Sequence, residues 1–450
     1  MLPQAQSIQI VLPIVSIIFL ILSFKRSVYG TISYFIILNA KLGDMYPALG
    51  AMRFELIAAI IVLASIFFAG KGILNLSPQV SKINSAFWIV FIIGMLSVPQ
   101  AVDIAESWEL GGYNLLKMML FYVMVVASIQ DFNDLTKLTW AFVLVTCWIA
   151  YEPVTNYLRG IAGEQSYGEI GYGRFGAATG HVALANTLSQ GLPLAFFWAM
   201  YEKNIVKKSI LWAIVSLLTL GIIFSKSRGG FLGLVSVGLC YIYFSERRMK
   251  ATLIVIILLL FALPFAGEEY MQRISTISKG ASSRSTEDRV IGLTNGISML
   301  TKRPLLGVGI GCYPKARSIY FNYYFYSHNL YGELLGELGL ASAAWFFWVY
   351  LMFRTSNRLK TCLKEEDEQH QFYQIVLIGV QSGLFVRLVL GNFSHCAFIW
   401  FWFMMGALVV GIEFLLAQEE EQDELMTDEI DTESSFQDLD MNQNVHSNEI

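Results

Sequence analysis

The sequence is poor in charged residues. Its 450 residues include 31 Lys and Arg and 35 Asp and Glu, 15% in total, whereas 55% are hydrophobic. A soluble protein usually carries about 25% charged residues. The deficit excludes an ordinary cytosolic enzyme, and the high apolar content excludes an intrinsically disordered protein.

Cysteine pairs at a metal-binding or redox spacing are also missing. The five cysteines form no C-x-x-C motif; they are Cys147, Cys240, Cys312, Cys362 and Cys396. A zinc box and a disulfide framework are therefore excluded. There is no G-x-x-x-x-G-K-[ST] motif, so ATP-driven chemistry is not expected. The first 24 residues lack a basic segment and an A-x-A cleavage site, which favours a first membrane span over a cleaved signal.

The sequence has instead many long stretches without charge. Thirteen such stretches cover residues 1–24, 27–40, 56–70, 83–102, 118–130, 138–151, 175–201, 209–225, 229–245, 251–267, 338–353, 371–386 and 388–412. About 20 apolar residues cross the hydrocarbon core of a bilayer, and snorkelling Lys or Arg can extend a shorter stretch. The pattern predicts an all-α polytopic membrane protein with about 12 to 13 transmembrane helices.

The positive charges predict the orientation of these helices. One set of alternating connections carries 15 Lys and Arg, and the short connections of the other set carry 6. The first set is expected to face the cytoplasm, which makes 268–328 one large periplasmic loop. The predicted domains are N-terminal transmembrane helices (1–150), a transmembrane core that includes this loop (151–416) and a cytoplasmic tail (417–450). The tail has 12 acidic residues and no Lys or Arg, and we predict that it is disordered.

A short motif, Ser227-Arg228-Gly229-Gly230, stands at the outer start of one apolar stretch. A guanidinium beside exposed backbone N–H groups at a helix start can bind an anionic phosphate. An Arg that snorkels to the interface, followed by glycines for close helix packing, explains the motif equally well.

The large loop contains a predicted helix. Ser285 or Thr286 can cap its start and Pro304 stops it. An apolar stripe, which should lie on the membrane surface or on the helical bundle, is formed by Val290, Leu293, Ile297 and Leu300.

Arg289 breaks the charge pattern of this helix, because a cation in the first turn opposes the helix dipole. A bound anion would remove the conflict. An ion pair with Glu287 or Asp288 would remove it too, and the residues by themselves favour that pair.

Two further segments of the loop allow more than one interpretation. Residues 307–311, Gly-Val-Gly-Ile-Gly, look like a dinucleotide fingerprint, but no βαβ unit surrounds them, so we predict a tight loop with positive φ angles. Six aromatic residues lie between Tyr320 and Tyr326. They can stack on sugar rings, and an interfacial aromatic belt would explain them equally well.

His328 follows the aromatic segment. An imidazole with a pKa of about 6.5 can accept a proton from a sugar hydroxyl. Glu333 and Glu337 lie five and nine residues further on, so neither has the i+4 spacing that would orient His328. By spacing alone, a structural histidine is favoured over a catalytic one.

Arg387 is the one full charge between residues 371 and 412, and His395 follows it after the turn at Gly391-Asn392. An arginine inside a membrane costs about 2.5–3.5 kcal/mol on insertion scales. Arg387 should therefore face the bundle interior and pair with a carboxylate, a backbone carbonyl or a phosphate, and a functional role is slightly favoured.

In this order, the motifs resemble the O-antigen ligase and polymerase family of bacterial membrane glycosyltransferases. The signatures are Ser227-Arg228-Gly229-Gly230, then Arg289 ahead of Lys302-Arg303-Pro304-Leu305-Leu306-Gly307-Val308-Gly309, then His328-Asn329 running into Glu337-Leu338-Gly339-Leu340. Upstream, Arg174-Phe175-Gly176, Asn186 and Leu192-Pro193-Leu194 are also similar to the family. The resemblance covers roughly 170–345.

The resemblance implies a bundle of the type C glycosyltransferase kind in the bacterial inner membrane, active at the periplasmic face. It implies a glycan donor on undecaprenyl pyrophosphate, with no metal or other cofactor and no nucleic-acid partner. The acceptor would be a glycan, lipid A core or a protein hydroxyl.

The resemblance also implies roles for single residues. Arg228 and Arg289 would clamp the pyrophosphate, and His328 would act as a base toward the acceptor hydroxyl or position it. Arg174 is a weaker carry-over, and Arg387 joins the predicted donor-binding set on the membrane-cost argument. A lipid-linked glycan transporter or flippase, which would escort the same anionic lipid without transferring its sugar, remains the alternative.

Overall fold

The computed structural model describes residues 3–40, 42–69, 76–77, 79–158, 181–225, 227–262, 284–364 and 366–446. Helices account for 84% of the structure, and the described residues contain no strand. In chain order the helices are α1 (Pro3–Leu22), α2 (Ser27–Ala40), α3 (Leu42–Met45), α4 (Pro47–Ala51), α5 (Phe54–Ala69), α6 (Lys82–Ser97), α7 (Ile104–Glu106, continued by a π-helical turn to Gly112), α8 (Tyr113–Ser128), α9 (Phe132–Leu158), α10 (His181–Tyr201), α11 (Ile205–Phe224), α12 (Arg228–Phe244), α13 (Arg248–Ala262), α14 (Arg284–Lys302), α15 (Tyr313–Phe321), α16 (Leu330–Leu338), α17 (Ala343–Cys362), α18 (Glu368–Leu390) and α19 (Trp400–His446).

The apolar helices confirm an all-α polytopic membrane protein. Five segments are long and apolar enough to cross a bilayer: Ile104–Ser128, Ile205–Phe224, Leu330–Cys362, Glu368–Phe393 and Trp400–Leu425. Five shorter apolar helices accompany them among the described residues. The total of 12 to 13 crossings stays a prediction.

Short polar side chains set the start of several helices. Ser81 accepts a hydrogen bond from the N–H of Ile83 at the start of α6, and Asp367 accepts one from the N–H of Gln369 at the start of α18. Such caps satisfy backbone donors that have no partner within the helix.

The boundary between the last two spans lies at the turn predicted at Gly391-Asn392. One uncharged stretch ends before Arg387, but α18 continues through this residue to Leu390, a 3-10 turn covers Gly391–Phe393, and α19 begins at Trp400. Arg387 is only 4% exposed. The charge is thus buried between helices and does not mark a loop.

The acidic segment also differs from the prediction of a disordered tail. Residues 417–446 continue α19 as helix. They contain no Gly or Pro and many Glu, Gln, Leu and Met, which favour helix. The imidazole Nε2 of His370 lies 2.7 Å from Oε2 of Glu419, and Lys364 Nζ lies 3.4 Å from Oδ2 of Asp423, so the segment begins in contact with the bundle.

The bundle has two ends with different chemistry. At the end where α18 begins, His370 contacts Glu419. At the start of α2, Arg26 pairs with Asp134 at 2.6 Å. Arg387, at the other end of α18, lies on the side where α12 and α16 begin. Phe132, at the start of α9 close to Asp134, contacts the ring of Phe372 near the start of α18, so Arg26 lies at the end of the bundle opposite to Arg387.

Buried tryptophans fix the connection between α18 and α19. Trp345 on α17 donates its indole N–H to the carbonyl of Ala397 at 3.0 Å, and Trp402 on α19 donates to Cys396 at 2.8 Å. The two rings contact each other, with centroids 4.8 Å apart. The short segment around His395 is therefore held by the core.

The predicted helix of the large loop is confirmed, and it packs on the bundle through glycine. Helix α14 begins at Arg284, so Ser285 and Thr286 lie inside it and do not precede it. Gly292 and Gly296 face α16, where a methyl group on Gly296 would lie 2.2 Å from the carbonyl oxygen of Gly332. The contact face is therefore made of small residues.

The apolar stripe of this helix does not provide that contact face. Val290 is 58% exposed and Ile297 is 45% exposed, while Met299 is fully buried. Periodicity identified an amphipathic helix, but the side that packs on α16 contains Gly292 and Gly296, followed by Met299, because the two glycines let the backbones approach.

A single methyl group at Gly292 should weaken this packing. In Gly292→Ala the new Cβ would lie 1.9 Å from the carbonyl oxygen of Ser327, so α14 has to move. We expect a loss of about 1–3 kcal/mol in stability, measured by thermal unfolding of the purified protein. Thr294→Ala, on the exposed side of the same helix, should leave the unfolding temperature unchanged. Equal melting of the two variants would contradict this packing.

The glycine-rich segment is a tight loop, as predicted. Gly307, Gly309 and Gly311 have φ angles of 66°, 100° and 75°. Glu337 accepts hydrogen bonds from the N–H of Gly311 at 2.9 Å and of Tyr313 at 3.2 Å. The carboxylate of Glu337 therefore holds this loop against the end of α16.

Candidate functional site

Arg228 is the first residue of α12, and its neighbours place it at a close helix junction. Ser227 caps the helix by accepting a hydrogen bond from the N–H of Gly230 at 3.3 Å. A methyl group on Gly230 would lie 2.8 Å from Cβ of Ala185 on α10. One on Gly229 would lie 3.7 Å from Cβ of Phe393. The glycines thus bring the positive end of α12 close to α10 and to the segment after α18.

Arg289 reaches the same place from α14. Its guanidinium carbon lies 4.7 Å from the centre of the Phe393 ring. Burial lowers the pKa of Arg289, the positive charge of Arg228 lowers it further, and Asp288 opposes both effects. Phe393 is therefore a common neighbour of the two motifs, and the structure brings Arg228 and Arg289 together from separate helices. The sequence favoured Glu287 or Asp288 as the partner of Arg289, but the charge of Arg228 affects its pKa more than that of Asp288 does.

His328 lies close to Arg289. Its backbone is left-handed, with a φ angle of 48°, and its ring centre lies 4.8 Å from Phe325. Burial lowers the pKa of His328, and the positive charge of Arg289 lowers it further. The imidazole is therefore neutral at neutral pH and has the electron pair that a base requires.

A second histidine, His395, lies beside His328. Together with Arg228, Arg289 and His328 it forms the cluster of the candidate site. Its ring centre lies 5.2 Å from that of His328, and the ring stacks on Tyr326 at 4.6 Å. Its Nδ1 is buried and has no hydrogen-bond partner among the described residues. Burial, then the charges of His328 and Arg387, lower the pKa of His395 to about 3.

Glu333 holds His395 in position. One oxygen of its carboxylate accepts hydrogen bonds from the N–H of Cys396 at 2.7 Å and of Ala397 at 3.2 Å. These contacts fix the backbone directly after His395. The sequence spacing correctly indicated that Glu333 does not orient His328 as an i+4 partner, but spacing could not show that it holds another histidine.

Removing this acceptor should loosen the segment. Glu333→Ala leaves two buried amides without an acceptor, at about 1–3 kcal/mol each, whereas Glu333→Gln keeps a carbonyl oxygen. In a Cys362→Ser background, which removes the exposed thiol, a maleimide should label Cys396 faster in Glu333→Ala than in Glu333→Gln. Equal labelling of Cys396 by mass spectrometry would show that Glu333 does not hold the segment.

Arg387 lies on the buried side of the cluster, close to His395 and Cys396. It lies next to the thiol of Cys396, and its Nε is buried with no hydrogen-bond partner in the part of the chain that the structure describes. The prediction that it faces the bundle interior is confirmed. Arg174, the other predicted donor-binding residue, lies outside the described residues.

Two rings of the aromatic segment contact the histidines, Phe325 at 4.8 Å from His328 and Tyr326 at 4.6 Å from His395. Tyr323 and Phe325 lie 5.0 and 5.5 Å from the guanidinium of Arg317, and the hydroxyl of Tyr324 donates to Glu106 at 3.0 Å.

Within the described ranges, no three His, Cys, Asp or Glu side chains are grouped so that they can hold a metal ion.

The central part of the sequence matches a known family model. Residues 213–347 match the family model described as O-Antigen ligase, and this range includes Arg228, Arg289 and His328. The chain carries an O-antigen ligase domain. The family match confirms the resemblance to O-antigen ligases that the motifs indicated, over less than a third of the chain. A comparison with curated proteins gives no match.

The O-antigen ligase domain runs from α11 to the first turn of α17. It is typical of a ligase or glycosyltransferase type of enzyme in a multi-pass membrane protein. Arg387 and His395 lie beyond its end, and Asn186 precedes it. The packing of α10 and α18 against the domain therefore adds residues to the cluster that the family match does not include.

Proposed function

We propose that this protein is a metal-independent glycosyltransferase that transfers or polymerises a glycan carried on undecaprenyl pyrophosphate at the periplasmic face of the bacterial inner membrane. The observation that carries the proposal is the approach of Arg228 to Arg289 beside the start of α12. An anion between two guanidinium groups turns their repulsion into two attractions. Arg387 and Arg174 extend the same proposed donor site.

The chemistry requires one displacement at the anomeric carbon of the donor sugar. The acceptor oxygen forms a bond to this carbon, the bond from the carbon to the phosphate oxygen breaks, and its electron pair leaves with the pyrophosphate. His328 takes the proton of the acceptor hydroxyl. The products are a new glycosidic bond, inverted at the anomeric carbon, and undecaprenyl pyrophosphate.

The arginines supply the main stabilisation of this step. Negative charge grows on the departing pyrophosphate, and prearranged cations stabilise it as it develops. The donor already contains the energy of the glycosyl–phosphate bond, so no nucleotide is needed. The charge asymmetry of the connections supports a periplasmic position, because the cluster lies at the end of the bundle opposite to the basic connections.

Reconstitution tests the proposal. Purified protein in detergent, given an undecaprenyl-pyrophosphate-linked glycan, should release undecaprenyl pyrophosphate and yield a longer or transferred glycan. Separate reactions contain free glycan, lipid A core or an acceptor protein, so the product identifies the acceptor. The Arg228→Ala, Arg289→Ala double variant serves as the inactive control. A parallel assay uses the same protein reconstituted in liposomes. If the intact donor crossed the liposome membrane and no product formed in either assay, the protein would be a transporter and the transferase proposal would be contradicted.

A further inference from the structure

Asn186 on α10 has an unusual environment. It is 1% exposed, and neither its Oδ1 nor its Nδ2 has a hydrogen-bond partner among the described residues. A buried amide normally finds partners for both groups, because leaving them unpaired is costly. A buried amide without partners among the described residues, at the edge of a candidate site, is a candidate ligand-binding group.

Asn186 lies beside the start of α12 and close to Phe393. A methyl group on Gly229 would lie 3.6 Å from Oδ1 of Asn186 and 3.7 Å from Cβ of Phe393. The guanidinium of Arg289 in turn lies over the ring of Phe393. Asn186 therefore borders the same space as Arg228 and Arg289. Helix α12 begins there, and the N–H groups of its first turn have no acceptor within the helix.

We propose that Asn186 is a binding residue for the donor pyrophosphate. Its Nδ2 donates a hydrogen bond to a phosphate oxygen at the start of α12, while Oδ1 accepts one from the guanidinium of Arg228. An amide suits this position because it has a donor and an acceptor and can bridge an arginine and a phosphate. The inference rests on the proposed function, since both concern the same site.

Ser189 provides a matched control one turn deeper in the bundle. It lies on the same face of α10, is fully buried, and its Oγ also has no hydrogen-bond partner in the described parts of the chain. Its neighbour is Gly233, where a methyl group would lie 2.5 Å from the Ser189 Oγ. Ser189→Ala thus removes a buried, unpaired polar group away from the start of α12.

The experiment measures binding of undecaprenyl pyrophosphate, without a glycan, to the purified full-length protein, and the KM of the lipid-linked donor. Asn186→Leu should weaken binding and raise the donor KM by about 10–100-fold, the loss of a hydrogen bond to a charged group. Asn186→Asp, of the same size but negatively charged, should lose more. Ser189→Ala should bind undecaprenyl pyrophosphate as the wild-type protein does. The KM of the acceptor should be the same in the Asn186 variants as in the wild type. Inorganic pyrophosphate should compete with undecaprenyl pyrophosphate for binding.

A second measurement does not depend on these variants folding normally. In Asn186→Cys, undecaprenyl pyrophosphate should slow the labelling of the new thiol, followed by mass spectrometry at that site. Unchanged labelling, or wild-type binding by Asn186→Leu, would overturn the role of Asn186 and leave the transferase in place. Failure of the wild-type protein both to bind undecaprenyl pyrophosphate and to form product would instead overturn the proposed function.

Discussion

Replacing Arg289 with alanine should reduce glycan transfer about 100–1000-fold while the protein still folds. The guanidinium lies over Phe393 and close to Arg228, so it can contact an anion from one side as the other arginine contacts it from the opposite helix. A fixed group that stabilises charge developing in the transition state is worth about this factor. The loss should fall mainly on kcat, measured as release of undecaprenyl pyrophosphate by the purified protein.

Arg289→Lys should recover little of this activity. A lysine keeps the charge but cannot present two parallel N–H groups to a phosphate or lie flat on an aromatic ring. Arg303→Ala is the matched control, because Arg303 directly follows the same helix and donates to the backbone carbonyl of Gln100. Comparable losses in the Arg289 and Arg303 variants would indicate a general effect of the loop, and near-normal transfer by Arg289→Ala would remove this residue from the proposed site.

The sequence identifies the elements of this site better than their contacts. The helix at 284–302 and the tight glycine loop are readable because apolar periodicity, proline and glycine act locally, whereas the predicted caps Ser285 and Thr286 lie inside the helix. The burial of Arg387 follows from the cost of a charge in a bilayer. The membrane class follows from uncharged stretches alone. Each of these features is decided within a few neighbouring residues.

The contacts that the sequence does not reveal are made between distant segments. Periodicity selects the large apolar residues of α14, whereas Gly292 and Gly296 make its contact with α16. His395 lies 67 residues after His328, and no spacing rule connects two residues on separate helix ends. The one available signal for His395 is its position directly after an intramembrane arginine and a turn. Asn186 resembles the family in the sequence, but only its buried amide without hydrogen-bond partners among the described residues indicates a role for it.

His328 should control how transfer depends on pH. Burial and the charge of Arg289 disfavour its protonated form, so its pKa lies below the usual 6.5. A base must be neutral, so activity should rise as the pH rises through this lowered pKa, at a lower pH than an exposed imidazole would give. In His328→Ala this acid limb should disappear, and transfer should fall about 100–10,000-fold at the plateau, measured as kcat against pH.

The sign of the shift provides a separate test, because Asp288 acts on His328 in the opposite direction. Its negative charge favours the protonated imidazole and raises the pKa of His328, against the lowering effects of burial, Arg289 and Arg317. Asp288→Asn should therefore move the acid limb of kcat to lower pH while the plateau changes little. A limb that moves to higher pH would mean that another group supplies the titration. A limb that persists in His328→Ala would show that His328 positions the acceptor and does not take its proton.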